Sequence, residues 1–129
     1  MILQGRSIYQ GIVYGEALTT KMRISFYGGV DPESGVILEK GHELQGISIS
    51  GKILVFPTGK GSTVGSYTLY RLSKNGIAPA AIINSSCETI TAVGCIIAEI
   101  PCIDQIVIDN IKTGMKLRVD GNQGIVEIL

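Results

Sequence analysis

Tryptophan is absent and phenylalanine occurs only twice, so aromatic residues make up 5% of the 129-residue sequence and a core built on large rings is excluded. The interior must be aliphatic. Isoleucine, at 21 residues, is stiff at χ1 and suits a pleated surface, while 17 glycines can occupy left-handed turn positions. That pairing predicts many strands joined by tight turns and disfavours a helical bundle. No charge sign dominates, since eleven Lys plus Arg balance eleven Asp plus Glu, and this removes any global pull toward nucleic acid or anionic membrane. No apolar run reaches the roughly 18 residues of a membrane span, and no leader is evident before the first strand, so the expectation is a soluble, cytoplasmic chain. A single histidine, His42, excludes a histidine cluster and leaves a Ser-His-acid triad dependent on one residue of a polar loop. The three cysteines, Cys87, Cys95 and Cys102, show neither C-x-x-C nor zinc spacing. They read as reduced core thiols, the first two near one helical face. The length suits one domain but is short for an enzyme that must enclose its own substrate.

Gln4 to Leu18 alternates as one long or bulged strand, with Gly11 and Gly15 marking bends or close backbone approach. Ile24 to Tyr27 and Val36 to Leu38 read as short strands, with a polar loop at Gly41 to Gly46. Lys52 to Phe56 reads as a buried strand. A helix is expected from Ser62 or Val64 to Ser73, closed by Asn75 and Gly76. Ala78 to Asn84 is another buried strand. Ser85 to Glu88 resembles a helix cap, and Thr89 to Glu99 a second helix that Pro101 stops. Asp104 to Ile108 is read as a strand, and Ile111 to Leu129 as two strands about the turn at Asp120 and Gly121, with Met115, Leu117, Val119 and Ile125 facing inward. The fold class is therefore α/β, strand-rich at both ends with a helical middle, in one domain over residues 1–129.

The strongest chemical signal is the loop from Pro57 to Gly65. Gly59, Gly61 and Gly65 surround Ser62 and Thr63 between a buried strand and a helix start, where open α/β sheets place binding loops. Backbone N–H groups there can face an anion, and Lys60 adds a cation. The spacing is neither the Walker loop nor G-x-G-x-x-G, and the nucleophile elbow G-x-S-x-G is absent too. Local pattern alone leaves two readings of Ser62 open: a reactive hydroxyl, or the N-cap of the helix.

Four blocks occur in order: GGVDPESGVI from Gly28, HELQG from His42, GKILVFPTGKGS from Gly51, and NGIAPAAII from Asn75. In this order they resemble the small subunit, or swivelling domain, of the aconitase X family, and the likeness covers nearly the whole chain. The resemblance implies an aconitase-like three-layer β/β/α swivelling domain. It also implies a hydro-lyase active only with a large catalytic subunit, which carries a 4Fe-4S cluster and much of the pocket. The archaeal type is the nearest likeness, and its complex dehydrates mevalonate 5-phosphate to trans-anhydromevalonate 5-phosphate, a step of isoprenoid synthesis. On that match Ser62 is the expected proton acceptor, and Gly59, Lys60, Gly61, Thr63 and Asp31 form the expected substrate-binding set. No cofactor or metal is expected in this chain, and the small phosphorylated hydroxy acid is the expected ligand. Two alternatives remain at this stage: another aconitase X dehydratase, such as one acting on cis-3-hydroxy-L-proline, and a non-catalytic binding module. The related fold that carries a phosphohistidine is excluded by chemistry, since the segment after Asn84 holds no histidine.

Overall fold

The short apolar runs become strands buried on both faces. A computed structural model describes all 129 residues, Met1–Leu129. In chain order its elements are β1 (Ile2–Gln4), β2 (Arg6–Tyr9), β3 (Ile12–Thr19), β4 (Ile53–Phe56), α1 (Gly65–Lys74), β5 (Ala81–Asn84), α2 (Thr89–Ala98), β6 (Cys102–Asp104), a 3-10 turn (Ile108–Asn110), β7 (Lys116–Asp120) and β8 (Ile125–Ile128). Strand order is β1-β8-β7-β3-β4-β5-β6-β2.

β3 joins two sheets. Its first half, Ile12 to Glu16, pairs antiparallel with β7, and its last residues, Ala17 to Thr19, pair parallel with β4. β4, β5 and β6 continue in parallel, which demands crossovers, and α1 and α2 supply them. Along β4 the alternate side chains Leu54 and Phe56 meet Leu69, Leu72 and Cys95 of the helices, while Ile53 and Val55 meet Leu117, Val119 and Val126 of the antiparallel sheet. The result is the expected β/β/α layering. Each fully buried Leu or Ile of this double core contributes about 1.5–3 kcal/mol.

The expected single strand from Gln4 to Leu18 is instead three strands, two of them at opposite edges. Glycines allow the breaks. A Cβ at Gly5 would meet Ile106 Cδ1 at 2.7 Å, and Gly11 holds φ at 127° beside Pro101. Gly15 makes the close approach read from the sequence, with Ile53 Cδ1 3.2 Å from where its Cβ would lie. Ile24 to Tyr27 and Val36 to Leu38 are not strands. They retain only isolated bridges, Ile24 to Gly59, Val30 to Ile37 and Val36 to Ser48. The segment 20–52 spends its apolar residues on the core rather than on ladders, burying Ile24, Phe26, Val30, Ile37, Leu44 and Ile49 from irregular backbone. Phe26 meets Phe56 edge-on at 5.9 Å.

The strand expected at Asp104 to Ile108 begins earlier, at Cys102, and ends at Asp104, because Gln105 turns the chain at φ 61°. Asp104 is buried by a bidentate pair from Arg6, both bonds 2.9 Å. In the final hairpin the fully buried residue of β8 is Val126, one position from the expected Ile125, with Leu117 and Val119 inward as read. Glu88 itself is the N-cap of α2, its carboxylate accepting from the amides of Ile90 and Thr91. Asn75 ends α1, and Gly76, at φ 71°, lets the Ile77 amide reach Leu72 O.

α1 and α2 touch through Gly94, where an added Cβ would collide with Leu69 and lie 3.2 Å from Ser66 Cα. Neither neighbour can yield, since Leu69 is fully buried and the Ser66 atom is backbone. Gly94→Val is therefore expected to destabilise the protein by about 1–3 kcal/mol, read as a lowered denaturant midpoint with unchanged slope.

Candidate functional site

Parallel strands β3, β4, β5 and β6 all end at one edge, and the glycine loop leaves β4 there. Its path is set by what glycine lacks. A Cβ at Gly59 would strike Thr91 Oγ1 and lie 2.7 Å from Glu88 Oε1, so the loop seats directly on the capped start of α2. Gly61 holds φ at 104°, and a Cβ there would lie 2.6 Å from Ser25 Oγ. On the other side the bridge at Ile24 clamps the loop, with the Ile24 amide donating to Thr58 O at 3.4 Å and the Lys60 amide to Ile24 O at 3.0 Å.

Ser62 is exposed. Its Oγ accepts from the Val64 amide at 3.1 Å, and its carbonyl accepts from the Gly65 amide at 3.0 Å. The N-cap position of α1 belongs to Val64 and carries no side-chain cap bond, so the capping reading of Ser62 does not hold. The serine forms a tight turn just ahead of the helix. Thr63 is also exposed, and its carbonyl accepts from Ser66 Oγ at 3.1 Å. Lys60 is present on the loop, but its ammonium pairs with Glu39 Oε2 at 3.1 Å.

Gly59, Lys60, Gly61, Ser62 and Thr63 thus share one short loop. Asp31 stands apart from it. The neighbouring Pro32 carbonyl accepts from Asn75 Nδ2 at 2.8 Å, which puts this turn at the far end of α1, about 15 Å of helix from the loop. The Asp31 carboxylate accepts from the Glu33 amide and the Ser34 hydroxyl, which hold it below its usual acidity range, with Arg71 adding to the effect.

His42 is buried, contrary to the polar-loop reading. Its Nδ1 accepts from the Leu44 amide at 3.1 Å, so Nε2 carries the proton and donates to Arg23 O at 3.1 Å. It is a packing residue that steadies the segment beside the loop. Ser25 of that segment reaches the loop without any sequence signal, because the isolated bridge from Ile24 to Gly59 brings it against Gly61.

No group of three or more His, Cys, Asp or Glu side chains is arranged to hold a metal ion. All three cysteines are free thiols, Cys95 and Cys102 buried and Cys87 half-buried, with the Cys87 amide tied to Asp104 Oδ2 at 2.9 Å. No helix is long and apolar enough to cross a membrane. Two surface hollows exist, one of about 200 Å³ between Lys21, Glu43, Asp109 and Lys112 and one beside Tyr70 and Arg71, and neither includes Ser62.

The model of the aconitase X swivel domain family matches residues 2–128. The chain belongs to the aconitase X swivel domain family. This swivel domain is 53% identical to the phosphomevalonate dehydratase small subunit of Thermococcus kodakarensis, across 100% of this chain and 97% of that one. It is 52% identical to the protein of the same description from Pyrococcus furiosus, covering 100% and 96%. Its backbone superposes on the crystal structure of Thermococcus kodakaraensis aconitase X in its holo-form with a TM-score of 0.99, at 52% identity and with 100% and 98% of the two chains covered. A solution NMR structure of a UPF0107 protein follows at 0.89 and 47% identity, with 100% and 99% covered.

The Cys87 thiol is pushed well above the ordinary range, first by its hydrogen bond with Cys102, then by burial and by the carboxylates of Asp104 and Glu88. A raised thiol stays neutral and unreactive into alkaline solution. In the native swivel domain at pH 8, iodoacetamide is expected to label Cys87 at least about tenfold more slowly than in the unfolded chain, as followed by peptide mass spectrometry.

Proposed function

We propose that this chain is the small subunit of a phosphomevalonate dehydratase, acting as one swivelling domain over residues 1–129. It would present Ser62 to a pocket completed by a large subunit. The observation that carries the reading is the identity of half or more of the residues, end to end, with small subunits of that description. The site supports it chemically. Dehydration of a hydroxy acid removes the proton next to the carboxylate, and that electron pair forms the double bond as the neighbouring C–O bond breaks and hydroxide departs, so that H+ and OH− leave together as the elements of water. Ser62 Oγ takes the proton. A serine hydroxyl is a weak base, so its negative form needs stabilising, and the Val64 amide already donates to this oxygen. The positive end of the α1 dipole adds to that field.

Gly59, Gly61 and Thr63 are the proposed backbone and hydroxyl contacts for the substrate. Lys60 lends a charge it must share with Glu39. Asp31 acts at most from the far end of α1, shaping the surface that meets the partner. The iron-sulfur cluster of this reading belongs to the large subunit, and no residue here is asked to bind it.

Exposed apolar side chains lie on the segments next to the serine's loop: Tyr27 at 55% exposure, Val64 at 42% and Tyr67 at 66%. With Gly28 and the Pro57 to Thr63 loop they form the proposed seat for the large subunit. Co-expression with a larger aconitase X chain is expected to give a stable complex on sizing, and a swivel domain that elutes alone refutes the seat. In that complex Ser62→Ala is expected to lower kcat at least about a hundredfold toward mevalonate 5-phosphate, with assembly intact, while Thr63→Ala is milder. The same complex assayed with cis-3-hydroxy-L-proline separates the two substrates. Near-normal turnover in the Ser62 variant returns the serine to a turn-forming role.

A further inference from the structure

Four cations lie on the segments that frame the Ser62 loop; Lys21 lines the hollow with Glu43 and Asp109, and the other three differ in their surroundings. Lys60 is held by Glu39 at 3.1 Å. Lys40 sits in the connecting segment next to Glu39 in sequence. Arg23 is exposed, and its side chain is engaged in none of the five ion pairs of the chain.

Its backbone, by contrast, is held firmly. The buried His42 donates to the Arg23 carbonyl, and the next residue, Ile24, is locked into the bridge with Gly59 by bonds to Thr58 and from Lys60. Burial alternates here, with Ile24 and Phe26 buried, Ser25 half-buried and Arg23 exposed. Ile24 goes inward, at 2% exposure, so Arg23 and Ser25 share the opposite side. Ser25 Oγ on that side already touches Gly61, the residue before Ser62. Arg23 is two residues, at most about 7 Å of backbone, from that contact with the loop. A guanidinium offers a planar fork of donors that matches a phosphate's oxygens, which an ammonium cannot do.

We infer that Arg23 holds the phosphate end of the substrate, while Ser62 works at the carboxylate end. Lys60 assists only as far as Glu39 releases it. The inference rests on the proposed phosphorylated substrate and makes Arg23 a specificity-determining residue, with His42 as its positioning residue.

The test uses the co-expressed complex, with mevalonate 5-phosphate as substrate and inorganic phosphate as competing inhibitor. Arg23→Ala is expected to raise KM and the phosphate inhibition constant about 30-fold with kcat within about threefold, and Arg23→Lys to fall between. Lys60→Ala should raise KM less, about three- to tenfold, because its charge is shared. Lys40→Ala, which removes an equal charge from the same region, should leave KM within about twofold. A structural role for Arg23 would instead lower kcat and melting temperature together and leave phosphate inhibition unmoved. KM and phosphate inhibition within about twofold of the unaltered complex in both Arg23 variants overturn the inference while the proposed function stands. An unaltered complex that turns over only a non-phosphorylated hydroxy acid overturns both.

Discussion

Burial of β4 and β5 on both faces is the constraint from which the rest follows. Every residue of these two strands is buried, the even-numbered ones of β4 against the helices and the odd-numbered ones against the antiparallel sheet. A strand covered on both sides cannot carry a functional side chain along its length. Reactive groups must therefore lie where the strands end, and because β3 to β6 run parallel they all end at the same edge. The loop that bears Ser62 is the first exposed backbone after β4.

Keeping that loop in place needs contacts that side chains would obstruct. Gly59 lies against Glu88 and Thr91, whose own bonds cap α2, and Gly61 lies against Ser25. The loop is consequently gripped between the start of one helix and the bridged segment at Ile24, while Ser62 itself remains in the open. In the proposed role Ser62 would be poorly suited to removing a proton beside a carboxylate if left in water, since solvent competes for every charge that develops. An exposed serine on a rigid mount, with exposed Tyr27, Val64 and Tyr67 on the neighbouring segments, fits the proposed role of a group that meets its substrate only after a second surface closes over it.

Most elements were legible because their signals are local. The apolar runs of β4 and β5, the helix ends at Asn75 with Gly76 and at Glu88, and the hairpin at Asp120 with Gly121 each arise from propensity or turn chemistry within a few residues. The errors cluster where the reason is distant. Ile24 to Tyr27 and Val36 to Leu38 have strand composition, yet they pair only through isolated bridges, and Ile24, Phe26 and Ile37 enter the helix-side core instead. The break of the first segment into three strands depends on Asp104, Ile106 and Pro101 standing against Gly5 and Gly11, residues about a hundred positions away.

By itself the sequence determined the aliphatic, strand-rich core, the two helices, the balanced charge and the glycine-flanked Ser62 at a strand-to-helix junction, since each depends on residue type and near neighbours. Only the tertiary structure decided that Ser62 is a turn residue rather than the cap of α1, that His42 is buried, and that Lys60 is shared with Glu39. It alone separated Asp31 from the loop by the length of α1 and brought Ser25 against it. These are pairings between segments far apart in the chain, and no local pattern encodes them, because a single bridge at Ile24 costs the sequence nothing that could be read.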